Sequence, residues 1–153
     1  RKHILYIIRE LLDFNAGSRL TDLNAPLEFL SNVMKRRCTA FVLSDFYTRT
    51  DFSQPLTICS RKHDVVAVQV YDQCARELPD VGLMKVVDAE TGHEQYIDTG
   101  SRKLRQAHHN YWVKRQASLK EVFNKNSVDS ISIATDEDYV RALMNLFKTR
   151  STL

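Results

Sequence analysis

Residues 38–47 read CTAFVLSDFY: four apolar residues, Ala40 to Leu43, run straight into Ser44 and Asp45. A hydroxyl and a carboxylate at the end of an apolar strand are oxygen donors carried by a rigid element. In open parallel sheets, ligands bind beyond the carboxyl ends of the strands. A carboxylate there avoids the cost of full burial. It can face a cation directly, or a phosphate through one. The competing role is local: Asp45 caps its own loop or the next helix. Spacing alone leaves both open.

The neighbouring elements must place these groups. HILYIIRELLD, residues 3–13, sets Ile4, Ile8, Leu11 and Leu12 on one helical face, and Gly17 and Ser18 break the pattern. A second helix follows with Leu23, Leu27, Leu30 and Met34 spaced by four, three and four. Pro26 lacks an N–H and belongs in a first turn, so that helix begins near Leu23 and Thr21 lies in the loop before it. Strands are predicted at 39–44, 64–71 and 129–134. The Val-rich DVVAVQVY suits burial on both faces. Helices are predicted at 51–62, 101–125 and 136–150. Leu104, Ala107, Tyr111, Leu119, Val122 and Phe123 are the expected core contacts of the long one. Thr135 with Asp138 forms a near capping box for the last. Residues 82–99 read as a hairpin turning around Glu90–His93, with Gly92 free to take positive φ. Strands alternating with helices mean an α/β fold: a doubly wound parallel sheet with an inserted hairpin.

The 153 residues fit one domain. A net charge of +3 comes from basic groups scattered among acids, such as Lys35-Arg36-Arg37 and Arg61-Lys62. A nucleic-acid module concentrates them in a stripe, so no nucleic-acid partner is expected. Three cysteines, Cys38, Cys59 and Cys74, share no CxxC spacing and read as reduced thiols in a cytoplasm, with Cys38 buried at the start of its strand. No apolar run reaches the roughly 18 residues of a membrane helix. His108 and His109 point about 100° apart on a helix and do not share a ligand site easily. His63-Asp64 sits at a strand start, which favours a structural role, and Trp112 reads as core. With four glycines there is no Gly-rich phosphate loop, and GxSxG and HExxH are absent.

SRLTDLNAPLEFLSNVMKRRCTAFVLSDFY resembles the second half of a von Willebrand factor A domain. RKHDVVAVQVYD, ELPDVGLMKVVDAETG, IDTG and TDEDYVRALMNLFKTR resemble one bacterial branch, the domain-of-unknown-function family number fifty-eight, typically encoded beside MoxR-type AAA+ ATPases. The family pattern D-P-R-E-x-x-L-P meets DQCARELP here: Asp72, Leu78 and Pro79 match, whereas Gln73, Cys74 and Ala75 do not. The resemblance implies a Rossmann-like sheet and a metal-ion-dependent adhesion site holding magnesium. It implies that Thr21 and Asp45, with Ser44 beside them, supply oxygens to that site. Magnesium takes six oxygen ligands at about 2.1 Å and usually keeps waters. A site short of protein anions leaves the cation electrophilic enough to take a partner's carboxylate.

The first element of such a site, Asp-x-Ser-x-Ser after an apolar strand, is expected upstream. DFSQP at 51–55 places Pro55 where the second serine belongs, and DSISI at 129–133 has the wrong spacing. The chain opens on Arg1 and reads as the C-terminal part of a single von Willebrand A-like domain spanning residues 1–153, lacking its first strands. Magnesium binding by this piece alone is then weak or absent.

The expected function is a non-enzymatic interaction module, magnesium-dependent when complete, acting with a MoxR-type ATPase on client proteins in a bacterial cytoplasm. The alternative is a nucleotide- or metal-dependent enzyme on a related doubly wound sheet, with Asp45 as the metal-binding acid. The upstream sequence separates them: Asp-x-Ser-x-Ser favours the first, a Gly-rich loop or a second strand-end Asp pair the second. Strand 39–44 without its usual neighbour invites edge pairing. Size-exclusion chromatography with light scattering is expected to show self-association; a clean, folded monomer contradicts it.

Overall fold

Three parallel strands carry the architecture of a computed structural model that describes residues 2–15 and 21–151. The elements run α1 (Lys2–Asp13), α2 (Asn24–Val33), β1 (Thr39–Ser44), α3 (Ser53–Lys62), β2 (Asp64–Tyr71), α4 (Gln73–Arg76), β3 (Leu83–Val87), β4 (Glu94–Asp98), α5 (Arg102–Lys125), β5 (Asp129–Ala134) and α6 (Tyr139–Ser151). The sheet order is β1-β2-β5, with β3 and β4 in a separate two-stranded sheet. This is a mixed α/β, partial Rossmann-like fold. The break expected at Gly17 and Ser18 lies outside the described residues.

Local chemistry explains the helix starts. Pro26 is the third residue of α2, where its missing N–H costs nothing. The Asp51 carboxylate accepts from the Ser53 N–H at 2.9 Å and the Ser53 hydroxyl at 2.6 Å, opening α3. Those two bonds hold the Asp51 carboxyl below its ordinary range. The Ser101 hydroxyl accepts from Leu104 N–H to cap α5. At α6 the cap is Asp138, which accepts from Val140 and Arg141 N–H at 3.0 and 3.3 Å. Thr135, expected to open a capping box, instead donates its N–H to Tyr71 O. The helix accordingly starts three residues later than the pattern indicated. The short α4 went unread; the Asp72 carboxylate starts it by accepting from Cys74 N–H.

β2 is the centre because both its faces are apolar. Val65 and Ala67 join a core with Leu27 of α2, Leu56 and Cys59 of α3, and Leu119 and Phe123 of α5. Val66 and Val68 meet Ile133 of β5 and Leu146 of α6 on the other side. Arg150 ties α6 to the sheet by pairing with Asp64 at the start of β2 and Asp129 at the start of β5. Along α5 the buried residues are Trp112, Leu119 and Phe123. Ala107 and Tyr111, expected in the core, are exposed. Trp112 takes the inward place and stacks tilted on Tyr71, ring centroids 4.9 Å apart. Met34 falls just past α2 and is also exposed. Among the thiols, Cys59 is the fully buried one, while Cys38 is half-buried.

The hairpin pairs in the expected place, with Leu83 opposite Asp98 and Val87 opposite Glu94. Gly92 at φ +71° lets the turn close. The Asp88 carboxylate accepts from Glu90 and Thr91 N–H inside it.

Two apolar surfaces stand open. β1 is an outer strand, and Phe41 and Leu43 are 43% and 67% exposed, although Phe41 touches Phe147 edge-on at 6.1 Å. α1 buries none of its residues; Leu12 is 81% exposed. This contrast sets stability. Leu27→Ala, at a residue 2% exposed, is expected to cost about 2–5 kcal/mol. Leu12→Ala is expected to stay within about 0.5 kcal/mol. Urea unfolding of both variants checks this, and equal costs would show that α1 packs against the body.

Candidate functional site

β1 ends on Ser44, which lies in a row with Gln69 of β2 and Ser132 of β5. Gln69 is buried within an otherwise apolar strand. Its amide donates to the Asp45 carbonyl at 3.3 Å and accepts from the Ser132 hydroxyl at 2.8 Å. Arg115, projecting from α5, donates to the Phe46 carbonyl at 2.6 Å and reaches the Asp45 carbonyl at 3.5 Å. The carbonyls just beyond β1 are thus held from two elements.

Between these anchors the chain turns sharply. Phe46 has φ +54°, a left-handed conformation that costs a bulky residue energy. Its ring is buried against Phe52 and Phe123, with centroids 6.0 and 5.1 Å away. That packing, with the Arg115 bond, offsets the strain. The turn throws the Asp45 side chain outward, where it is exposed. Its Oδ1 accepts from Tyr47 N–H at 2.8 Å. The Ser44 hydroxyl accepts from Phe46 N–H at 2.9 Å and lies 3.5 Å from Asp45 Oδ1. Asp45 therefore does cap its own loop, while Asp51 serves the next helix. Among the described residues no hydrogen bond engages its second oxygen.

Thr21 meets this loop through its backbone. Its carbonyl accepts from the Thr48 hydroxyl at 3.2 Å, and its N–H donates to Glu90 Oε1 at 3.1 Å. Neither contact uses the Thr21 hydroxyl. The loop before α2, the loop after β1 and the tip of the hairpin thus gather at one rim. Glu90 also faces Arg49 at 4.0 Å. Among the described residues no group of three or more His, Cys, Asp or Glu could hold a metal ion. The rim offers one carboxylate oxygen and hydroxyls, which fits part of a magnesium shell and not a whole one.

Sequence reasoning missed Gln69, Arg115 and Glu90. Gln69 left a signal, a polar residue at a position the strand period buries. Arg115 and Glu90 left none, because each acts across about 70 residues. His63 is buried, and Asp64 accepts from the Thr39 hydroxyl. His108 bonds the Cys74 carbonyl at 3.1 Å.

The fold and its strand-end rim define an α/β protein with a parallel sheet and an oxygen-bearing loop cluster at one carboxyl edge. Comparison with known proteins adds the lineage. Residues 1–118 match the family described as protein of unknown function DUF58, and the chain belongs to that family. The uncharacterized protein MAV169 of Mycobacterium avium is 28% identical over 131 residues, covering 84% of this chain and 76% of that protein. The uncharacterized proteins Mb1516 of Mycobacterium bovis and Rv1480 of Mycobacterium tuberculosis are also 28% identical over 131 residues. The chain spans 40% of the length of those two. No solved structure matches it. Among the described residues no helix is long and apolar enough to cross a membrane.

Tyr47, next to the turn, stacks under the Arg115 guanidinium at 3.8 Å and lies 3.4 Å from the Tyr111 hydroxyl. Partial burial, then the Tyr111 bond, push the Tyr47 phenol up to about 12. The native chain keeps this proton above pH 10, where an unfolded tyrosine, with pKa about 10, loses it. Stability is therefore expected to fall as pH rises from about 10 to 12. Tyr47→Phe is expected to flatten that fall in urea titrations at stepped pH, and an unchanged slope counts against the assignment.

Proposed function

We propose that this chain is part of a non-enzymatic, von Willebrand A-like interaction module, and that its strand-end rim supplies part of a magnesium-dependent adhesion site. The observation that carries this reading is the Thr48 hydroxyl on the Thr21 carbonyl at 3.2 Å, which joins the threonine loop to the loop bearing exposed Asp45. Asp45 offers a free carboxylate oxygen and Thr21 a hydroxyl. Ser44 holds the turn that aims the carboxylate. Remaining oxygens come from water or from another segment of the longer protein, and a bound cation supplies a Lewis-acidic point for a partner's carboxylate.

The partner in this reading is a MoxR-type AAA+ ATPase together with client proteins, in the cytoplasm. The support is resemblance plus a surface suited to contact: an apolar outer strand and a hairpin outside the main sheet.

Calorimetric titration of magnesium into the full-length protein tests the site. Asp45→Ala and Thr21→Ala are each expected to weaken binding by about 10-fold or more. Unchanged affinity in both variants refutes the assignment.

A further inference from the structure

The opposite end of the sheet, where β1 and β2 begin, carries a cavity of about 410 Å³ lined by Ser31, Met34, Lys35, Arg36, Arg37, Lys62 and His63 among others. Among the described residues four cations line it and no Asp or Glu does. Among the described residues none of the four is ion-paired. Lys62 donates one proton to the Ser31 carbonyl at 3.0 Å, which points the ammonium along this wall and leaves two further donors.

His63 makes the cavity more than a basic surface. It is 2% exposed, and its Nδ1 lies 3.5 Å from Cys38 Sγ. That contact fits either ring tautomer; in the one where the thiol donates to Nδ1, the ring proton sits on Nε2. Nε2 is buried and has no partner among the described residues. A buried donor without an acceptor is costly and calls for an explanation. An anion supplies the missing acceptor and answers the unpaired cations together. Arg provides forked donors that match phosphate oxygens, and Lys a point charge.

We propose that this cavity is an anion site for a phosphate group, free or carried as the phosphomonoester of a nucleotide, with His63 Nε2 donating from its floor and Lys35, Arg36, Arg37 and Lys62 completing the shell. The site lies at the amino ends of β1 and β2, whereas Asp45 follows the carboxyl end of β1. Its success or failure is therefore independent of the magnesium reading.

Long-range proton–nitrogen NMR of the histidine rings in the full-length protein tests it, with inorganic phosphate and adenosine monophosphate as separate probes and sodium chloride at matched ionic strength as control. Either phosphate probe is expected to shift the His63 Nε2 signal saturably, with half-saturation at about 1 mM or below. Saturation by phosphate alone identifies the free ion as ligand, and tighter saturation by adenosine monophosphate the nucleotide. The exposed double variant Arg36→Gln/Arg37→Gln is expected to weaken the shift about tenfold. No His63 response to either probe, an equal response to chloride, or an unchanged response in the double variant overturns the proposal.

Discussion

The rim depends on one constraint: the carbonyls of Asp45 and Phe46 are pinned by Gln69 and Arg115. A chain leaving a parallel strand would otherwise fray into solvent. Here a buried amide from the next strand and a guanidinium from α5 fix the exit path. The left-handed Phe46 is the cost of the sharp turn, of order 1–3 kcal/mol. Its ring repays that by filling the space between α3 and α5. The exposed carboxylate of Asp45 is aimed by what lies beneath it. Removing the clamp frees the turn to relax, even with every rim oxygen still present.

The same economy shows in how the sheet is covered. α2, α3 and α5 close one face of β2 around a continuous apolar cluster. Among the described residues the other face is covered by α6, held at the strand starts by Arg150. Leu43 and part of Phe41 stay in solvent, and none of the described residues of α1 is buried. An apolar outer strand and an amphipathic helix with no buried residue are both exposed apolar surface, the kind that pairs or packs readily with another chain.

Much of this was legible in residues. The Val-rich run at 64–71, the apolar 39–44 and the alternating 129–134 became β2, β1 and β5 at the expected bounds. Pro26 and Gly92 marked a helix start and a turn through backbone rules that need no tertiary context. Side-chain direction was less legible: on α5, Tyr111 and Trp112 were both expected in the core, and of the two Trp112 alone is buried. Capping also misled at α6, where Asp138 outcompetes Thr135 because its carboxylate can accept from two N–H groups. Ser44, Asp45 and Thr21 could be singled out by type and resemblance. The Gln69–Arg115 clamp and the reach of Glu90 to Thr21 could not, since both arise only when distant segments meet.

The central claim is that the Thr21 and Asp45 loops form one cation-facing rim. Paramagnetic broadening by manganese, an oxygen-seeking substitute for magnesium, tests it most directly in amide spectra of the full-length protein. The account predicts selective loss of signals from Thr21 and from Asp45 to Tyr47 at low manganese, restored by excess magnesium. Broadening centred elsewhere, with those amides untouched, contradicts it.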